Sequence, residues 1–155
     1  MILNVSVLKK PILTLCFALC VSLLEAQIQQ DDIIGFWRTL KGNTQIEIYK
    51  SANNIYYGKI IWLRVEKERP DYKNPNEKLR SRKVLGLQII NNFVFNVKKN
   101  IWEKGSIYDP ENGETYFCIL KFESSKDILK LKGHLPGMKV ISRQTEWIRE
   151  SKLRQ

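Results

Sequence analysis

From Ile33 onward, apolar and polar positions alternate with a period of two, and no stretch holds a 3.6-residue period over three turns. The first segment, 35–39, is followed by the turn Lys41-Gly42-Asn43. The second, 44–50, sets Ile46 and Ile48 on one face and Gln45, Glu47 and Tyr49 on the other. Ser51-Ala52-Asn53-Asn54 turns the chain, because Asn tolerates the left-handed backbone that a hairpin needs. Further strands are predicted at 55–63, 84–90, 93–97, 101–108, 114–122, 128–135 and 139–149. The last of these is the longest, as a strand bridging back to the first would be. Lys99-Asn100, Pro110-Glu111-Asn112-Gly113, Ser124-Ser125-Lys126-Asp127 and Pro136-Gly137 supply the connections.

Eight or nine short strands with tight turns predict an all-β fold. The expected architecture is a small antiparallel up-and-down β-barrel of about eight strands, calycin-like; the alternative is a two-sheet β-sandwich. Closure favours the barrel, since it removes exposed strand edges. Such a barrel has an interior just large enough for side chains or one small ligand.

One connection breaks the rhythm. Residues 64–83 carry eight Lys/Arg and four Asp/Glu, with Arg69-Pro70-Asp71 and Asn74-Pro75-Asn76 inside. Pro removes backbone donors, so this segment cannot extend the sheet. A loop of this length is a lid, a binding loop or an insert, with room for a short helical turn capped by Asn76.

Residues 1–26 read differently. Lys9 and Lys10 precede an apolar run from Ile12 to Leu24, and Leu24-Glu25-Ala26 forms an A-x-A-like cleavage site. The run suits a secretory signal peptide and falls short of the ~20 residues of a membrane-spanning helix. The expectation is an exported bacterial protein, periplasmic or secreted, whose domain of 27–155 has no integral membrane span after processing. Cleavage removes Cys16 and Cys20 and leaves Cys118 alone, so no internal disulfide is expected and a packed core must hold the fold. Cys118 alternates with Tyr116 and Leu120, the place of a small buried apolar group.

Trp37 near the start and Trp147 near the end draw the two termini together. Gly35, Trp37 and Thr39 share one strand face, as do Arg143, Thr145, Trp147 and Arg149. If first and last strands pair, Arg149 stacks on Trp37 and seals one end. Gly-x-Trp with a late Arg resembles the closure signature of lipocalin and avidin-like barrels. Arg143, on the same face further along, is expected to be paired with Glu47, Glu103 or Glu114, or to receive an anionic ligand, because a buried charge is costly without a partner.

Several phrases, in order, resemble an exported bacterial family known as domain of unknown function 2147. They are Gly35-Phe36-Trp37, Gly58-Lys59-Ile60-Ile61-Trp62-Leu63, Asn74-Pro75-Asn76 with Leu79-Arg80-Ser81-Arg82, and Leu85-Gly86-Leu87. Gly105-Ser106-Ile107-Tyr108-Asp109-Pro110 with Gly113 and Tyr116, and the closing Arg143-Gln144-Thr145-Glu146-Trp147-Ile148-Arg149, complete the set. Lys83-Val84 departs from the Pro-Leu usual there, and the stretch before Trp102 is more basic. The resemblance implies a small exported β domain and brings no activity and no catalytic residues.

Read physically, Asp109-Pro110 with Gly113 is type I turn chemistry, flanked by Tyr108 and Tyr116 as a cross-strand pair. Arg80 and Arg82 are candidates for gripping a phosphate or carboxylate. Enzyme chemistry finds little material: one His, no metal-ligand spacing, no Gly-rich phosphate loop and no nucleophile elbow. Asp109 with Glu114 is the one carboxylate pair to consider for a hydrolase. No metal or cofactor is expected. The net charge of +10 favours an anionic partner, and outside the cytoplasm that is an anionic envelope surface or a small lipid-like ligand rather than nucleic acid. The candidate ligand-binding residues are Trp37, Arg143, Trp147, Arg149, Arg80, Arg82, Tyr108 and Asp109, and the expected function is a non-enzymatic binder of a small amphiphilic or anionic ligand.

Overall fold

In the computed structural model, which describes residues 28–65, 67–138, 140 and 143–155, the alternating segments form eight strands. They are β1 (Gly35–Thr39), β2 (Thr44–Lys50), β3 (Tyr56–Leu63), β4 (Gln88–Asn96), β5 (Ile101–Asp109), β6 (Glu114–Phe122), β7 (Ile128–His134) and β8 (Arg143–Glu150). Each pairs antiparallel with the next, and β1 pairs with β8, so the sheet is a closed up-and-down barrel and the sandwich alternative falls. The proposed signal segment 1–26 lies outside the described residues.

Two strand expectations are corrected. The segments 84–90 and 93–97 form one strand, β4. Asn92 takes a φ of 62° and bulges the strand where the sequence suggested a reversal. Residues 84–87 precede it as a loop that still exchanges backbone hydrogen bonds with Ile60. Among the described residues the last strand is not the longest: β8 has 8 residues and β4, β5 and β6 have 9 each. The short turns fall where Gly and Asn were expected, with positive φ at Gly42, Asn54, Asn100 and Gly113.

Closure depends on the β1–β8 register, which sets Trp37 opposite Arg149 and Thr39 opposite Trp147. The Arg149 guanidinium lies 4.2 Å from the centroid of the Trp37 ring. Its nitrogens donate to the carbonyls of Lys126 at 3.0 Å and Ile34 at 3.2 Å, and to that of Asp32. Burial pulls its pKa below the ordinary arginine value, yet arginine keeps its proton, so these acceptors are what make the half-buried charge tolerable.

The same end is plugged by a 3-10 turn, Gln30–Ile33, with Ile33 fully buried. Three large aromatics direct their polar atoms at this plug. Trp37 Nε1 donates to Ile33 O at 2.8 Å, Trp102 Nε1 to Gln30 O at 3.1 Å, and Tyr56 Oη to Asp31 Oδ1 at 2.7 Å. Phe122 stacks on Trp37 and meets Trp102 edge-on, while Phe95 tilts against Trp102 at 4.9 Å. The closed half of the barrel is thus solid aromatic packing. Phe93 fits it because Gly105 lies beside its ring: a Cβ there would clash with the ring edge at Phe93 Cδ2.

The 64–83 loop is pinned to the outer wall. Asp71 is fully buried and accepts from Tyr108 Oη at 2.6 Å, Asn74 Nδ2 at 2.9 Å, and Arg82 Nε and Nη2 at 3.0 and 2.9 Å. Burial, then the hydrogen bond to Asp71, push the Tyr108 hydroxyl up to about 12, so it stays a donor. The helical turn expected near Asn76 forms as a 3-10 turn, Glu77–Leu79, with Asn76 accepting from Lys78 N.

Two stability predictions follow from these clasps. Arg149→Ala, followed by urea unfolding, is expected to cost about 3 kcal/mol, because it removes the ring contact and strips three carbonyls of a charged donor. Arg149→Lys should recover only part of that, since an ammonium lacks the planar fork. Asp71→Ala is expected to cost roughly 2–3 kcal/mol. It should also raise amide hydrogen exchange across 69–83 while exchange in β1 and β8 stays slow.

Candidate functional site

Eight inward faces meet different fates at the two ends. The closed end is filled by Trp37, Trp102, Tyr56 and Phe93, all about fully buried. The other end receives the β1–β2, β3–β4, β5–β6 and β7–β8 connections, and there smaller side chains point inward. Ile46, Ile60, Ile89, Leu131 and Cys118 leave a cavity of about 160 Å³ above Trp147. Its wall is predominantly apolar, and its rim carries Lys41, Arg69, Asp109, Glu111 and Arg143. Gly133 belongs to the design of this wall, since a Cβ there would press on the sulfur of Cys118 at 2.7 Å.

Arg143 is one of three cations that line the cavity, with Lys41 and Arg69. Its place follows from the β8 alternation, which puts Arg143, Thr145, Trp147 and Arg149 on the inner face from mouth to base. Its side chain is 45% exposed, so it is a rim charge and not a buried one. The expected partners are also corrected. Arg143 Nη2 pairs with Asp109 Oδ2 at 3.0 Å. Glu47 pairs instead with Lys59 at 3.1 Å, and Glu103 accepts from Asn96 and Lys99. The β5–β6 turn brings Asp109 across the mouth. The guanidinium also sits 5.6 Å from the centroid of the Tyr116 ring, whose hydroxyl accepts from Asn112 at 2.8 Å. A second rim pair, Arg69 with Glu111 at 2.8 Å, joins the long loop to the same turn.

The candidate residues therefore divide into three places. Arg143, Asp109 and Trp147 come together at the cavity. Trp37 and Arg149 go to the closed end, where they make the seal described above. Arg80 and Arg82 stay in the loop: Arg80 Nε donates to Asn74 O at 2.9 Å and its Nη1 to Glu77, while Arg82 holds Asp71. Their donors are directed at the chain itself. Tyr108 and Tyr116 are not a cross-strand pair, because the register sets Tyr116 opposite Ile107 and Tyr108 opposite Thr115. Tyr116 faces in and the Tyr108 hydroxyl reaches the loop. Asp109 and Glu114 do stand opposite each other, with Asp109 Oδ1 accepting from Glu111 N at 3.0 Å, as its turn chemistry predicts.

Sequence reasoning passed over the aliphatic lining. Ile46, Ile60, Ile89 and Leu131 carry the period-two signal, but nothing in it distinguishes a wall residue beside free space from one packed solid. Lys41 and Arg69 come from loops with no pattern at all. Cys118 was read correctly as buried, and burial pushes its thiol up to about 12, which keeps it protonated and unreactive. Among the described residues no group of three or more His, Cys, Asp or Glu is arranged to hold a metal ion, and no helix is long and apolar enough to cross a membrane.

Comparison with known proteins agrees with this geometry. A solved structure, that of protein HP1028 from the human pathogen Helicobacter pylori, described as belonging to the lipocalin family, is similar to this chain with a TM-score of 0.64. The two share 22% sequence identity over 77% of this chain and 83% of that one, a likeness that establishes the fold. No curated protein matches. The model of the family described as "Uncharacterized protein conserved in bacteria (DUF2147)" matches residues 35–149, from the first barrel strand to the arginine that seals it, and the chain belongs to that family.

Proposed function

We propose that this protein is a non-enzymatic binder of a small anionic amphiphile in the bacterial cell envelope. One observation carries the reading: an apolar cavity, open at one end of the barrel, has Arg143 at its mouth. The apolar end of the ligand lies against Ile46, Leu131 and Trp147, and its carboxylate or phosphate lies at Arg143. Asp109 holds the guanidinium in place, and the exposed side of the guanidinium offers its remaining donors outward.

The size of the cavity narrows the ligand. An apolar cavity of about 150 Å³ accepts a benzene ring. The free space here, about 160 Å³, is of that order and below the ~300 Å³ where drug-sized pockets begin. A chain or ring of about six to eight carbons fits inside, at roughly 0.8 kcal/mol of transfer free energy per buried CH₂. Longer chains extend past the rim. The envelope location rests on reading residues 1–26 as an export signal, with 27–155 as the barrel domain.

Calorimetric titration with octanoate and with octanol tests the reading. Octanoate is expected to bind more tightly than octanol. Arg143→Ala should weaken octanoate about tenfold, the loss of one charge-assisted contact, and leave octanol nearly unchanged. Thr145→Trp, which puts a ring into the cavity, should abolish both while the thermal midpoint stays close to wild type. Absence of binding by either compound at millimolar concentration, or equal binding by wild type and Thr145→Trp, would defeat it.

A further inference from the structure

The open end differs from the rest of the surface in a second way. Leu40 in the β1–β2 connection is 61% exposed, Val65 in β3–β4 is 66% exposed, and Met138 and Val140 in β7–β8 are 52% and 77% exposed. Single exposed apolar residues are ordinary. Here they crown three of the four connections that surround one cavity mouth. Cations stand among them: Lys41 next to Leu40, Arg64 just before Val65 and Lys67 two residues after it, and Arg143 at the start of β8, all exposed, with Glu66 and Glu68 beside Lys67 in sequence and Asp109 paired to Arg143. The 64–83 segment contributes eight Lys/Arg against four Asp/Glu.

We infer that the open end of the barrel docks on an anionic phospholipid bilayer. Leu40, Val65, Met138 and Val140 enter the headgroup layer, and Lys41, Arg64 and Lys67 lie against lipid phosphates. Two features favour a bilayer over a protein partner. The apolar tips stand on separate loops around an opening and form no continuous groove, so a rigid partner would need matching relief, whereas a fluid surface admits each tip independently. The accompanying charge is predominantly positive, which matches an anionic lipid surface that attracts basic residues near the headgroups. Shallow insertion of apolar side chains with flanking cations is the usual chemistry of interfacial attachment.

Docking in this orientation sets the cavity mouth against the membrane, so an amphiphile passes between bilayer and barrel without crossing water. That last step rests on the proposed function; the docking itself does not.

Co-sedimentation with vesicles of phosphatidylethanolamine, with and without phosphatidylglycerol, tests the docking. The full chain is expected to sediment with the phosphatidylglycerol vesicles only, and to be released as salt rises from about 0.05 to 0.5 M. Val65→Asp with Val140→Asp should weaken sedimentation at least tenfold, and Lys67→Glu severalfold. Circular dichroism confirms that each variant is folded, and octanoate titration without vesicles reads the cavity separately. A variant that loses vesicles but keeps octanoate supports docking by this end. A wild type that binds octanoate and ignores vesicles overturns the docking alone, and one that binds vesicles but not octanoate overturns the cavity reading alone. Undiminished sedimentation of the double variant, or loss on Val97→Asp at the closed end instead, would also overturn it, Val97 being an exposed apolar residue there at 68%.

Discussion

The seal between Arg149 and Trp37 is the constraint on which the rest of the molecule depends. An up-and-down sheet of eight strands has two edges until β1 and β8 meet, and an open edge invites pairing with other chains. β1 has only five residues, so its ladder with β8 is short. The contact that fixes its register is a charged side chain spread over an indole ring, with donors to Ile34, Asp32 and Lys126. Those acceptors belong to the segment before β1 and to the β6–β7 turn. One residue therefore binds three separated parts of the chain at the closed end, and a slip of β1 by one position would turn Trp37 out to solvent, away from Arg149.

That seal also decides where free space can exist. Around it Trp37, Trp102, Phe122, Phe95 and Tyr56 fill the lower interior, and the Gln30–Ile33 turn satisfies three of their polar atoms. A barrel of eight strands has little more interior than its own side chains require. Because the largest side chains crowd one end, the smaller ones at the other end do not fill it, and a small apolar volume is left beneath the mouth. The cavity is the complement of the aromatic base. Its modest size follows from the same strand number that makes closure possible.

Much of this was legible in the chain. Alternation gave the strands, Gly42, Asn54 and Gly113 the turns, and the Gly35-x-Trp37 and Arg149 pattern the closure. Strand boundaries failed at Asn91-Asn92, where the residues that favour a turn also serve a bulge, and only the neighbouring strands decide between them. The site was legible in part. Arg143 and Trp147 were found because strand parity assigns a face from sequence alone. The partner of Arg143 was not, because Asp109 reaches it across the barrel mouth, a distance set by shear and closure that no local pattern encodes. Arg80 and Arg82 looked free to hold an anion because no local pattern shows the loop folding back on itself, with Asn74 O and Glu77 taking Arg80 and the buried Asp71, fixed by Tyr108 from β5, taking Arg82.

Two arginines on one strand face show how depth sets the role of a charge. Arg149 and Arg143 are six residues apart, so β8 carries both inward at opposite ends of the barrel. At the base, where water is displaced by aromatic rings, the guanidinium must be saturated by fixed carbonyls, and once saturated it has nothing to offer a ligand. At the mouth, solvent reaches the guanidinium, one carboxylate suffices to orient it, and donors remain directed outward. The same residue type thus closes the barrel where it is enclosed and, where it is wet, keeps donors for the anion that the proposed function places there. Moving the cation deeper into the cavity would demand further buried acceptors, as Arg149 does at the base, and use up the apolar volume, so the rim is the level at which a barrel this narrow best combines an apolar pocket with a charged contact.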